Sequence, residues 1–258
     1  MNLELSVTGT VSSIQIIGLG GIPEVSQGSD LAEIIVKASK KNGVRLQNGD
    51  VVVITQKIVS KAEGRLVDIS SIEPSPFAHR VSKFLQKDPK VVEVILSETE
   101  RVVKMVRGLI ISQTKHGLVC ANAGVDHSNV PRDLLCLLPV SPDRSAKKLR
   151  SQIMKLTGVK ISVVITDTFG RPWREGQTGV AIGLSGLRPL DDYKGKKDDF
   201  GNDLKVTVIA IADEIASASD LVMGKTDRTP VAIVRGYPVE GDGTAKALTR
   251  KPLRDIFR

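Results

Sequence analysis

Aromatic side chains are scarce: five Phe, two Tyr and one Trp make 3% of 258 residues. Proteins that hold single-stranded nucleic acid stack bases on aromatic faces, so this shortage argues against that partner despite a net charge of +8 and a pI of about 9.5. Cysteine is limited to Cys120 and Cys136, each inside an apolar run. That number cannot staple a small secreted domain, and no Cys–His cluster has zinc spacing; two buried free thiols in a reducing cytosol are expected. No apolar run approaches the roughly 20 residues of a membrane span. The opening Met1–Thr10 lacks the basic start and apolar block of a secretory leader, so a cytoplasmic location is expected. Internal repeats and low-complexity linkers are also absent, and His79, His116 and His127 are scattered.

What is present is 41% hydrophobic residue content, which can build one large domain or two modest ones around a core of Val, Ile, Leu and Ala. Lys and Arg are spread along the chain, a distribution that favours small anionic ligands. Residues 3–17 read as a strand or strand pair. Ser29, as cap, opens a helix that ends near Gly43, and Val51–Thr55 is a buried strand. Residues 76–98 read as helix in two pieces, broken at Asp88-Pro89. Strands follow at 99–107 and 108–114, then a helix from Ser141 to the stop residue Gly158. Leu204–Ile211 reads as a strand, Asp213–Met223 as a helix whose first-turn acids suit its dipole, and Pro230–Gly236 as a last strand. The tail from Gly241 is polar, then helical and basic. The order suggests an α+β chain of mixed sheets and helices, with two lobes as an alternative to one unit.

Two glycine-rich stretches invite a nucleotide reading and fail it as motifs. In Gly18-Leu-Gly-Gly-Ile-Pro23, proline stands where a dinucleotide fingerprint needs its third glycine. Gly224-Lys225-Thr226 ends like a Walker loop but follows a helix and has Ser219 in place of the first glycine. A different pattern carries more. The β-branched run Val163–Thr166 meets Asp167 and Thr168, with Arg171 and Arg174 close behind. A second apolar run, Leu118–Ala121, leads to Asn122, Asp126 and Asn129. Two carboxylates just beyond separate strands can converge on a pair of hard cations over a phosphate chain. Guanidinium groups suit carboxylate or phosphate. Lys61, just past the Val51–Thr55 strand, suits an anion. The plain alternative for each acid is a turn residue or a cap.

These residues resemble the coenzyme F420-0:L-glutamate ligases (γ-glutamyl ligases). The resemblance is carried by Ser60–Gly64, Asn122–Asn129, Ile165–Gly170, Ala212–Ala216 and Val234–Gly236, in the family's order. It spans residues 15 to 240 or so of a single catalytic unit taken as 1–258. It implies a stand-alone, homodimeric, α+β enzyme that uses GTP to join L-glutamate to F420-0 by an amide, then adds a second glutamate by a γ-linkage. It further implies that Asp126, Asp167 and Thr168, with Thr226 after the last long helix, hold two divalent cations, Mg²⁺ or Mn²⁺, and it leaves an assisting K⁺ open. Ile22, Pro23, Glu24, Val25, Thr55, Gln56, Lys61 and Asn129 would line the GTP site. Lys61 would act on the phosphates, and Arg171 or Arg174 on substrate carboxylate or phosphodiester. Two other functions stay open at this point. A metal-dependent phosphohydrolase would need no glutamate. A basic nucleic-acid-binding protein would need no Asp126 and would show steep salt dependence.

Overall fold

A computed structural model describes residues 13–251 and 255. The first part of the expected N-terminal strand and the end of the basic tail lie outside the described residues. The expected α+β character is borne out. The strand β1 (Gln15–Gly18) leads through a loop to α1 (Leu31–Lys41), β2 (Val51–Thr55) and α2 (Gln56–Ala62). A short β3 (Leu66–Asp68) precedes α3 (Pro76–Leu85) and α4 (Pro89–Ser97). Three antiparallel strands follow, β4 (Thr99–Val106), β5 (Leu109–Thr114) and β6 (Val119–Ala121), and then β7 (Leu134–Cys136), which pairs with β3. The chain continues with α5 (Pro142–Thr157), the long hairpin β8 (Ser162–Arg171) and β9 (Arg174–Ser185), the short pair β10 (Asp191–Asp192) and β11 (Val208–Ile209), α6 (Ile211–Met223) and β12 (Val231–Arg235).

The principal sheet has the order β1-β12-β2-β8-β9. Only β2 and β8 run parallel, from Val51 opposite Ser162 to Thr55 opposite Thr166. β2 is apolar and buried from Val51 to Ile54 because it is covered on both sides. Its alternate residues serve different layers. Val52 and Ile54 pack with Ile35 of α1 and Leu149 and Ile153 of α5. Val51 and Val53 pack with Ala212, Ile215 and Ala216 of α6. A third cluster is built apart from these two by Leu85, Val92, Ile95, Ile110 and Leu135. The small residues of β9 allow the helices to settle on the sheet: a Cβ on Gly183 would lie 2.4 Å from the Pro142 carbonyl carbon at the start of α5, and one on Gly179 would lie 2.9 Å from the Ala216 carbonyl oxygen of α6.

Helix ends follow local chemistry. α3 and α4 each begin with proline in the first turn behind a side-chain cap, Ser75 and Asp88 respectively, which is why the helical stretch breaks where it does. Gly158 closes α5 at φ 72°. At α1 the cap is Asp30, which accepts from the Glu33 N–H at 3.0 Å, and not the expected Ser29, whose Oγ accepts from the Ser26 N–H.

Two expectations are corrected and two are refined. Of Leu204–Ile211 only Val208–Ile209 is strand, since its neighbour β10 offers just two residues to pair with and Val206 is 84% exposed. The expected last strand is present as Val231–Arg235, and it lies inside the sheet, between β1 and β2. The apolar run before Asp126 is a strand as expected, β6, which turns Val119 and Ala121 outward, and a 3₁₀ turn at Asn122–Gly124 separates it from Asp126. β8 does not end at Asp167; burial fades there while pairing with β9 continues to Arg171. Of the tail, the described part holds one 3₁₀ turn, Ala245–Leu248.

Candidate functional site

β2 ends at Thr55 opposite Thr166 of its parallel neighbour β8, which runs on beyond it. In open sheets, ligand crevices lie beyond the carboxyl ends of such strands, and a cavity of about 940 Å³ opens there. β2 delivers Thr55 and, through α2, Gln56, Lys57 and Lys61; β8 delivers Thr166, Asp167 and Thr168. The loop after β1 adds Ile22–Val25, the segment before β7 adds Asp126, Ser128 and Asn129, and the turn after α6 adds Gly224–Thr226.

Twelve of the residues expected from the sequence therefore share one cavity: Ile22, Pro23, Glu24, Val25, Thr55, Gln56, Lys61, Asp126, Asn129, Asp167, Thr168 and Thr226. Arg171 and Arg174 do not line it. They stand exposed at the tip of the β8–β9 hairpin, where Arg171 Nη2 donates to the Glu175 carbonyl at 2.7 Å. Gly170 and Gln177, in the same hairpin, do reach the cavity.

Two backbone devices aim the acids. Between Ile165 and Thr166 the register with β9 slips by a residue. A bulge of this kind re-aims the side chains that follow it, and Asp167 is the next residue but one after Ile165. Asp126 is held by paired backbone hydrogen bonds, its N–H to the Cys136 carbonyl at 3.0 Å and the Cys136 N–H to its own carbonyl at 2.8 Å. Its carboxylate accepts from the Ser128 N–H at 2.8 Å and from Ser128 Oγ at 2.6 Å, and it pairs with the Lys57 ammonium. Asp167 is not a helix cap, whereas Asp126, by accepting from the N–H two residues on, also makes the contact of a turn residue.

The charges interlock. Burial pushes the Asp167 carboxyl up to about 6; the Thr168 N–H opposes this, the Asp126 charge adds to it, and Lys57 and Lys225 oppose it. At Asp126 burial also acts upward, but Lys57 and Ser128 outweigh it and hold the group below its ordinary value. Lys61 Nζ meets Glu24 at 2.5 Å, and Lys225 Nζ meets Thr168 Oγ1 at 2.5 Å with Asp220 at 3.7 Å. Burial, with the Asp167 charge, pushes the Cys120 thiol up to about 12, so it is no thiolate nucleophile at neutral pH. Both cysteines are free and buried. Asp213, a candidate helix-dipole acid, accepts from the Ala181 N–H of β9 at 2.8 Å and serves the fold.

Sequence reasoning missed Lys57 and Asp220. Lys57 was findable, since it and Lys61 are four residues apart on α2 and so share one helical face. Asp220 carried no signal, because only the packing of α6 against β9 brings it to the cavity. His127 lies beside interesting residues but faces a smaller neighbouring hollow with Lys87 and Arg132.

Among the described residues no group of three or more His, Cys, Asp or Glu gathers around one point. Asp126, Asp167 and Thr168 offer only oxygen, a donor set suited to a hard cation that completes its shell from phosphate and water, and unsuited to zinc. Two ammonium groups already rest on these oxygens, Lys57 on Asp126 and Lys225 on Thr168, so the site accepts positive charge. No helix among the described residues is long and apolar enough to cross a membrane.

Comparison with known proteins agrees with this architecture. Residues 20–236 match the family model described as F420-0:Gamma-glutamyl ligase. A Coenzyme F420:L-glutamate ligase of Methanothermobacter thermautotrophicus is 45% identical over 249 residues, covering 95% of this chain and 99% of the relative. Its namesake in Methanopyrus kandleri is 46% identical over 257 residues, covering 93% and 100%. That of Methanocaldococcus jannaschii is 45% identical over 249 residues, covering 95% and 97%. The chain belongs to the F420-0:gamma-glutamyl ligase family.

Proposed function

We propose that this protein uses GTP to join L-glutamate to coenzyme F420-0 through an amide, and then extends the product by a γ-linked glutamate, acting as a homodimer in the cytoplasm. The observation that carries the reading is the arrival of Asp126 and Asp167, from distant parts of the chain, in one cavity with Lys57, Lys61 and Thr168. Amide formation from a carboxylate needs an activated acyl group. In the proposed course, the acceptor carboxylate oxygen takes the γ-phosphoryl group as its bond to GDP breaks. The glutamate amine then attacks the acyl carbon, the C–N bond forms, phosphate leaves with the acyl C–O electron pair, and the amine loses a proton.

In such a transfer, catalysis is positioning and charge stabilisation. Asp126, Asp167, Thr168 and Thr226 would hold the divalent cations, Mg²⁺ or Mn²⁺, with K⁺ as a further candidate. When bound, these ions neutralise phosphate oxygens as charge shifts. Lys61, once released from Glu24, would bring a point charge to the phosphates. Ile22–Val25, Thr55, Gln56 and Asn129 would enclose the nucleotide. Arg171 and Arg174, at the hairpin tip beyond the rim, are assigned to the anionic groups of the long acceptor. Every substrate is anionic, which suits a net charge of +8.

The test is mass spectrometry of F420-0 incubated with the protein, GTP, Mn²⁺ and glutamate. The expected result is product heavier by one and then two glutamyl units, with GDP and phosphate formed in step. Nucleotide hydrolysis at the same rate with or without glutamate and F420-0, and no heavier product, would favour a phosphohydrolase instead.

A further inference from the structure

Lys57 is the least exposed basic group in contact with the acid pair, its side chain 14% accessible. Its ammonium sits among three oxygens: a carboxylate oxygen of Asp126, the Ser128 carbonyl at 2.6 Å and Ser128 Oγ at 2.6 Å. That is a hard-cation environment in donor type, with a carboxylate, a main-chain carbonyl and a hydroxyl. The charge of the ammonium also acts on Asp167. Its contacts leave the Asp126 carboxylate few free lone pairs, since Ser128 donates two hydrogen bonds there as well. The neighbouring lysines differ: Lys61 is tied to Glu24, and Lys225 to Thr168 and Asp220.

From this geometry we infer that Lys57 is a built-in competitor of the divalent cation, occupying the coordination place at Asp126 until the ion displaces it, after which its ammonium is free to meet phosphate oxygen. The inference rests on the metal reading of the cavity given above. Two cations cannot share one carboxylate oxygen at contact distance without strong repulsion, so the ion must expel the lysine or bind elsewhere. Lys57 lines the same cavity that Lys61 enters one turn further on, so a displaced ammonium would remain beside the cavity. The arrangement keeps the acids neutralised before loading, limits binding of metal without nucleotide, and couples arrival of the ion to release of a phosphate-binding group. By linkage, metal and nucleotide then favour each other's binding through one side chain.

The test is Mn²⁺ titration of the full chain without nucleotide, read from the electron paramagnetic resonance signal of free Mn²⁺. Wild type, Lys57→Met, Lys57→Gln, Lys61→Met and Asp126→Asn are compared, with circular dichroism to show that each is folded. Removing the competitor is expected to tighten Mn²⁺ binding about tenfold or more in both Lys57 variants. Lys61→Met makes the same change of charge in the same cavity and is expected to alter it by less than about threefold. A second readout is GTP: prior Mn²⁺ should strengthen GTP binding to wild type more than to Lys57→Met. Equal tightening in Lys57→Met and Lys61→Met would reduce the effect to general field strength and overturn the inference. So would unchanged or weaker Mn²⁺ binding in the folded Lys57 variants, while loss of binding in Asp126→Asn would leave the metal reading standing. Failure of every form to bind Mn²⁺, with and without GTP, would remove both.

Discussion

Asp167→Asn is expected to lose the proposed GTP-dependent glutamate addition by at least about a thousandfold and, at the same time, to make the metal-free protein more stable at neutral pH. The two effects have one cause. The cavity raises the Asp167 carboxyl from its ordinary 3.8 to about 6, so without a divalent ion the fold carries an anion it disfavours. Such a group helps folding when protonated. Its contribution is full below the unfolded value and is lost as the pH rises through about 6. At pH 7.5 the carboxylate therefore weighs against the folded state by up to about 3 kcal/mol, and amide in its place relieves part of that. With lost hydrogen bonds subtracted, a rise in melting temperature of a few degrees is expected, measured in EDTA, and shrinking toward zero near pH 4. Added Mn²⁺ should stabilise wild type and leave the variant unmoved. Near-normal turnover by Asp167→Asn would end its assignment to the cation site.

The second large effect is structural. Asp50, only 1% exposed, directly precedes β2 and accepts from Arg235 Nε and Nη2, both at 2.8 Å, and from the Gln47 N–H at 2.8 Å. Arg235 closes β12 and also donates to the Arg45 carbonyl at 2.8 Å. This two-pronged bond locks the strand that arrives last in sequence into the middle of the sheet. Asp50→Ala strands the largely covered Arg235 guanidinium and the Gln47 N–H, at an expected cost of about 3–5 kcal/mol, or a melting temperature lower by roughly 10 °C. Chemical denaturation should also show that Asp50→Ala with Arg235→Met costs less than the two changes added separately. A loss below about 1 kcal/mol in Asp50→Ala would show that the sheet does not rely on this pair.

Legibility followed the range of the interactions. β2, the break between α3 and α4 and the end of α5 were readable because apolar runs, proline and glycine act within a few residues. Leu204–Ile211 was misread for the opposite reason: its β-branched composition looks like a strand, but a strand exists only where a neighbour runs beside it, and β10 is two residues long. The insertion of β12 between β1 and β2 depends on Asp50 and Arg235 meeting across 185 positions. Of the cavity, the acids were visible as chemistry at the ends of apolar runs and as family motifs. Their ammonium partners were not, since the pairings of Lys57 with Asp126 and of Lys225 with Thr168 span 69 and 57 positions.

Asp167 grows from the principal sheet, whereas Asp126 is bolted to Cys136 at the edge of the third apolar cluster, the one that holds α3 and α4. A cation gripped by both would be a clasp between separately packed bodies, and its grip would be felt far from the chemistry. Amides on α3 and α4 would exchange their hydrogens more slowly in its presence, so that filling the cavity would stiffen helices that never touch what fills it.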